Sequence, residues 1–155
     1  MKIGVIVYSQ TGNTRAAAER VEAALRKKGH DVMLEQIRPE DEVPPGTKHV
    51  RFLEAPDVAP YEGIVFAAPV QAFSLASGMK VYMQQIGSLD RKKVACFVTK
   101  QLPGKWTGGN HAIRQLSALC GEKGARPTDG HIIIWSSRDR EKLIEETAAE
   151  IAGSF

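Results

Sequence analysis

Apolar runs and helical periodicities alternate along this chain from end to end, and that alternation narrows the possible folds more than any other feature. Ile3–Val7, Asp31–Ile37, Ile64–Ala68, Val94–Thr99 and His131–Trp135 read as strands. Ile3–Val7 is a short continuous apolar run, as a strand buried on both faces requires. Between the runs lie helical stripes. Ala17, Val21, Ala24 and Leu25 form one within Arg15–Lys28, and Leu75, Met79, Tyr82, Met83 and Ile86 form the next. Ile113, Leu116, Leu119 and Cys120 form the third, and Leu143, Ile144, Thr147, Ala148 and Ile151 the last. Gly29, Gly87, Gly121 and Gly124 stand where helices should stop. Asn110 and the Ser136-Ser137 pair stand where two should start. Pro39 to Pro60 holds Pro44, Pro45 and Pro56 as well, which disfavours a long helix and predicts an irregular, solvated crossover with at most a short helical turn. Strands joined by helical crossovers imply a parallel sheet covered on both faces, an α/β fold in three α-β-α layers.

The stretch Tyr8-Ser9-Gln10-Thr11-Gly12-Asn13-Thr14 turns the first strand into the first helix. A helix begun so abruptly leaves its first backbone N–H groups without partners, and its dipole adds about half a positive charge there. Such an end can hold an anion. Here it also offers hydroxyls from Ser9, Thr11 and Thr14, an amide from Asn13 and a flexible Gly12. No lysine lies inside it, so it is not the GxxxxGK[ST] loop of nucleoside triphosphate binders, and no GxGxxG suggests a dinucleotide. Neutral donors round one phosphate monoester are one reading. An ordinary turn and N-cap, for which the same residues are common, is the other.

A strand, then S-x-T-G-N-T, then a helix at the N-terminus resembles the FMN-phosphate loop of flavodoxins. Two later loops fit the same family. The resemblance implies a flavodoxin-like fold over residues 1–155 as one domain, with a five-stranded parallel sheet in the order 2-1-3-4-5. Ligands in such a sheet bind at the strands' carboxyl ends beside the switch point between strands one and three. It implies that Ser9, Gln10, Thr11, Gly12, Asn13 and Thr14 take the phosphate of one FMN. It implies that Pro69, Val70, Gln71, Ala72 and Phe73, in the loop after the third strand, pass alongside the flavin. Phe73 either lies against the ring or packs on the sheet edge. Many family members place a glycine in this loop, so that one peptide can flip and accept a hydrogen bond from the protonated flavin N5. A glycine allows φ > 0 without steric cost, and none occurs from Val65 through Ser77, which makes that flip costlier. In the loop after the fourth strand, Thr99, Lys100 and Gln101 are matched to the pyrimidine edge, and Trp106, amid Gly104, Gly108 and Gly109, to the ring face. Trp106 packed under its own loop is the alternative. Lys100 and Lys105 near that edge would favour the anionic reduced cofactor; the alternative for both is plain solvation.

The rest of the composition excludes more than it adds. Net charge is +3 with scattered Lys and Arg, which gives no nucleic-acid footprint and departs from the acidic character of the family. Two cysteines, Cys96 and Cys120, lack disulfide-framework or metal spacing and read as buried core thiols. No apolar run is long enough for a membrane span or a signal peptide core, so the expected compartment is the cytoplasm. No Ser/His/Asp order, carboxylate pair or metal cluster appears, so no catalytic residue and no metal ligand is assigned. The leading expectation is an FMN-binding electron-transfer protein, a monomer or homodimer, that shuttles one or two electrons between redox partner proteins. An NAD(P)H-dependent FMN or quinone reductase of the same superfamily is the second reading. A cofactor-free signalling or interaction module ranks below both, because Tyr8-Ser9 and Ala68-Pro69 occupy the places where a receiver needs carboxylates.

Overall fold

The computed structural model describes residues 1–104 and 107–155. In chain order the elements are β1 (Lys2–Tyr8), α1 (Asn13–Lys27), β2 (Asp31–Pro39), β3 (Phe52–Glu54), β4 (Gly63–Gln71) and β5 (Ser74–Leu75). There follow α2 (Ser77–Gln85), β6 (Lys93–Lys100), α3 (Gly109–Glu122), β7 (His131–Ile134) and α4 (Arg140–Gly153). The sheet runs β3-β2-β1-β4-β6-β7. Its five parallel strands, β2, β1, β4, β6 and β7, are the expected 2-1-3-4-5 order. Two short antiparallel strands extend it: β3 beside β2, and β5 folded back on the end of β4.

Side-chain alternation along β1 builds the two layers. Ile3, Val5 and Val7 face α1 and α4, joining Ala17, Val21, Leu25, Ile144, Ala148 and Ile151. Ile6 and Tyr8 face the other way, with Phe66, Met79, Met83, Leu116 and Cys120 on the α2 and α3 side. β4 and β6 lie inside the sheet; β6 is buried from Val94 to Lys100 and β4 from Gly63 to Ala68, with its last three residues partly buried. Continuous apolar sequence therefore suits them better than alternation.

Four local readings change. The crossover after β2 has no helical turn; it carries β3, and Val43 and Val58 are buried within it rather than solvated. Pro69, Val70 and Gln71 continue β4 instead of opening a loop: Pro69 still pairs with Thr99 of β6, and Val70 and Gln71 pair with β5. Gly108, not Asn110, caps α3, and Asp139, not the Ser136-Ser137 pair, precedes α4, with the Ser137 Oγ accepting the Asp139 N–H at 3.1 Å. α3 also runs through Gly121 to Glu122 before Gly124, at φ +98°, turns the chain.

Candidate functional site

β1, β4 and β6 are adjacent and parallel, so their carboxyl ends open on one rim of the sheet. A cavity of about 490 Å³ lies there. Gln10, Thr11 and Asn13 line it from the β1–α1 turn, Pro69 and Val70 from β4, and Thr99, Lys100 and Gln101 from β6. The sequence reading placed all of these at one ligand, and the fold brings them together. Among the described residues Trp135, directly after β7, completes the lining, and the sequence reading does not place it there. Its signal was present: an aromatic residue following an apolar strand, on the same rim as the others.

The β1–α1 turn is shaped by Gly12, at φ +91° and thus left-handed, which an L side chain tolerates poorly. Ser9 Oγ accepts the N–H of Gly12 at 3.1 Å and of Arg15 at 3.4 Å, so this hydroxyl braces the helix start. The backbone N–H groups of Thr11, Asn13 and Thr14 find no acceptor among the described residues, which leaves the turn its anion-binding capacity. Thr14 is buried, and its hydroxyl is 2.7 Å from that of Thr99, tying α1 to the end of β6. Asn13 Nδ2 donates to Gln101 Oε1 at 3.5 Å across the same gap.

The end of β4 is held as firmly. Gln71 Nε2 donates to the Val43 carbonyl at 3.1 Å, and Gln71 Oε1 accepts the Ser77 N–H at 3.2 Å. Gln71 therefore fixes the crossover and α2 to the site and does not line the cavity. Ala72 and Phe73 form a two-residue turn between β4 and β5 at φ +48° and +64°. Two positive φ values are what such hairpin turns require, and Asn-Gly usually supplies them. Two non-glycine residues here store backbone strain. Phe73 does not pack on the sheet edge; it stands 63% exposed at the turn's tip. The turn is clamped from α3. Gln115 Oε1 accepts the Leu75 N–H at 2.9 Å and the Ser74 hydroxyl at 3.0 Å. Gly108 lies flat against the Phe73 backbone, so close that a Cβ would stand 2.4 Å from the Phe73 carbonyl. Gly108 thus serves the hairpin rather than the cavity.

Lys100 is not a solvated lysine. It is 9% exposed, and its ammonium donates to the Gly104 carbonyl and the Thr107 hydroxyl, each at 2.8 Å. These two bonds fold the loop after β6 back on itself. The calls on Trp106 and Lys105 lie outside the described residues. Trp135 is fixed by its own N–H donating to the Lys100 carbonyl at 2.7 Å. The Arg140 guanidinium sits 4.8 Å from its ring centroid and donates to its carbonyl at 3.0 Å. Beneath the site, burial holds the Tyr8 phenol above its ordinary value, partly offset by a hydrogen bond with Gln10.

The cavity falls in the size range of small-molecule sites and joins neutral donors at a helix start to an apolar and aromatic wall. It suits a ligand with an anionic end and a flat, polar body. Its lining offers no nucleophile with a base beside it, and no metal-binding cluster occurs among the described residues. No helix among them is long and apolar enough to cross a membrane.

The chain is similar in fold to the oxidised Flavodoxin 2 of Bacillus cereus, at 20% identity and a TM-score of 0.74 over 99% of this chain and 97% of that one. It is similar to the two-electron reduced flavodoxin of Megasphaera elsdenii, at 22% identity and a TM-score of 0.66 over 96% of this chain and 98% of that one. A flavoprotein in complex with FMN from Lactobacillus acidophilus NCFM gives 15% identity and a TM-score of 0.62 over 92% of this chain and 97% of that one. Likeness at these identities shows the fold. The family rests on the sequence, where a family model described as Flavodoxin matches residues 5–146, from β1 through most of α4. With that match spanning the phosphate-type turn, both later loops and the sheet that sets them side by side, the chain belongs to the flavodoxin family.

Proposed function

We propose that this chain is an electron carrier that holds one FMN noncovalently in the cavity at the switch point and exchanges electrons with redox partner proteins. The cofactor is FMN, which supplies reversible acceptance of one or two electrons when bound. The observation that carries the reading is one cavity joining the start of α1 to the ends of β4 and β6. Ser9, Gln10, Thr11, Gly12, Asn13 and Thr14 would hold the phosphate. The free N–H groups of Thr11, Asn13 and Thr14 suit a dianion, and no carboxylate lines the cavity to oppose it. Pro69 and Val70 supply the apolar wall, and Thr99, Lys100 and Gln101 supply polar groups for a heterocycle edge. Ala72, Phe73 and Gly108 act at one remove, by setting the hairpin beside the rim. Trp106 is assigned to the ring face on the family resemblance alone.

Titration of the apoprotein into FMN, followed by flavin fluorescence, tests the reading. Saturable quenching at one FMN per chain is expected, and a linear response without saturation overturns it. Mixing the loaded protein anaerobically with NADPH separates carrier from reductase. A carrier keeps its yellow colour, whereas rapid bleaching by NADPH alone establishes the reductase.

A further inference from the structure

We propose that Lys100 is a buried counter-charge that makes bound FMN easier to reduce, an inference that rests on the FMN reading above. Lys100 is the one charged residue lining the cavity among the described residues. It is 9% exposed, and its two acceptors, the Gly104 carbonyl and the Thr107 hydroxyl, are neutral. No carboxylate pairs with it among the described residues, and the two outside them, Lys105 and Trp106, bring none. A buried ammonium without an anion is costly to keep, so its placement calls for negative charge arriving from elsewhere.

The side chain's direction says which part of the ligand supplies that charge. Residues alternate along β6. Thr99 points to the α1 face, where its hydroxyl meets Thr14 beside the phosphate-type turn. Lys100 points to the other face. Its stem runs along the first turn of α3, where a Cβ on Gly109 would stand 3.1 Å from the Lys100 Cδ. The ammonium and the start of α3 thus bring positive potential to the same side of β6, away from the phosphate turn. Two electrons and one proton convert the neutral flavin ring to a form carrying one negative charge. A positive charge in the wall favours that form over the oxidised one. Burial limits screening by salt, so the preference survives ionic strength that would erase the effect of a surface lysine.

Two-electron midpoint potentials of the loaded protein, poised against a reference dye, test the inference beside FMN affinities. Lys100→Met is expected to weaken binding of reduced FMN about tenfold more than binding of oxidised FMN, within the range a neighbouring charge produces. That ratio lowers the midpoint by about 30 mV. Lys100→Arg, which keeps the charge, should hold the parent potential. Thr107→Val, which removes one clamp on the loop and leaves the charge, should change affinity for both forms alike. An unmoved potential in Lys100→Met with FMN still bound overturns the inference and leaves the FMN reading standing. So does an equal loss of affinity for both forms, which would assign Lys100 to the phosphate or to loop folding alone. An equal drop in potential in Thr107→Val overturns it too, since loop order would then account for the effect. Failure of the parent protein to bind FMN removes the reading and this inference together.

Discussion

Gly108 and Gly29 hold nearly the same backbone torsion, φ +91° and +92°, in unlike surroundings. A Cβ on Gly29 would meet nothing within 4 Å, whereas one on Gly108 would stand 2.4 Å from the carbonyl carbon and oxygen of Phe73. Gly29→Ala therefore meets only the left-handed penalty, about 1–2 kcal/mol. Gly108→Ala meets that penalty and a collision as well. The atoms in the way are backbone, held by the clamps from Gln115, so they cannot swing aside as a side chain would. Overpacking of this kind adds about 1–3 kcal/mol. Urea unfolding of the two variants under one condition, with a common m-value, reads the difference directly as a shift in midpoint. The same pair separates stability from the site. Gly108→Ala should push the Ala72-Phe73 hairpin off α3 and weaken FMN binding, while Gly29→Ala, beyond the far end of α1, leaves the affinity unchanged. Equal unfolding costs, or equal FMN affinities, would refute the claim that Gly108 seats the hairpin.

Four further outcomes follow from named contacts. Thr14→Val leaves the Thr99 hydroxyl buried without its partner and should cost about 1–3 kcal/mol, whereas Thr14→Val with Thr99→Val should cost less than the sum, measured as a double-mutant cycle. Ala72→Asn with Phe73→Gly suits the left-handed turn and should raise stability by about 1–2 kcal/mol in the same unfolding assay. The Cys120 sulfur, 3.7 Å away, together with burial, holds the Cys96 thiol well above its ordinary value. Both thiols should stay unlabelled by an alkylating agent in the folded protein. The stability this contributes is complete below the ordinary thiol value and falls as pH rises past it, a decline that Cys96→Ala should abolish in pH-dependent urea midpoints. Trp135→Ala should weaken FMN binding by removing one wall of the cavity, while Arg138→Ala, outside the lining, leaves it unchanged.

The alternation of strands and helices and the two covered faces of the sheet are legible because they depend on period, which the sequence states directly, whereas the strand order comes with the family resemblance. The β1–α1 turn was legible for a similar reason: strand, turn and helix are contiguous, so its donors are placed by local geometry. What escaped notice depends on contacts distant in sequence. Gln71 is read as part of a loop passing alongside the flavin, yet its amide spans Val43 and Ser77. Gln115 sits on a helix with nothing to mark it, yet it fixes the β4–β5 hairpin. Lys100 is read at the cofactor's edge, with plain solvation as the alternative; that its ammonium is buried under the Gly104 carbonyl depends on a backbone folded back by the lysine itself, which no local pattern reports. The absence of a glycine from Val65 through Ser77 is legible, and so is the cost of φ > 0 there. That the chain nevertheless takes φ > 0 at Ala72 and Phe73 follows from clamps on α3, which no local pattern reports.

Trp135 shows how register alone can make a wall. Lys100 pairs with Ile134 in the last rung between β6 and β7, so Trp135 emerges beside Gln101 at the height of the cavity. Side chains alternate, and a slip of one residue in this four-residue strand would turn Trp135 to the opposite face and bring Ile134 to the rim. What opposes the slip is packing rather than strand length: Ile133 is fully buried against the α4 layer. The Trp135 N–H bond to the Lys100 carbonyl then extends the ladder one step past the strand, and Arg140, in the first turn of α4, closes over the ring. The aromatic wall of the site is thus held by the same core that holds the sheet, and the position of Lys100 is fixed by the rung next to it.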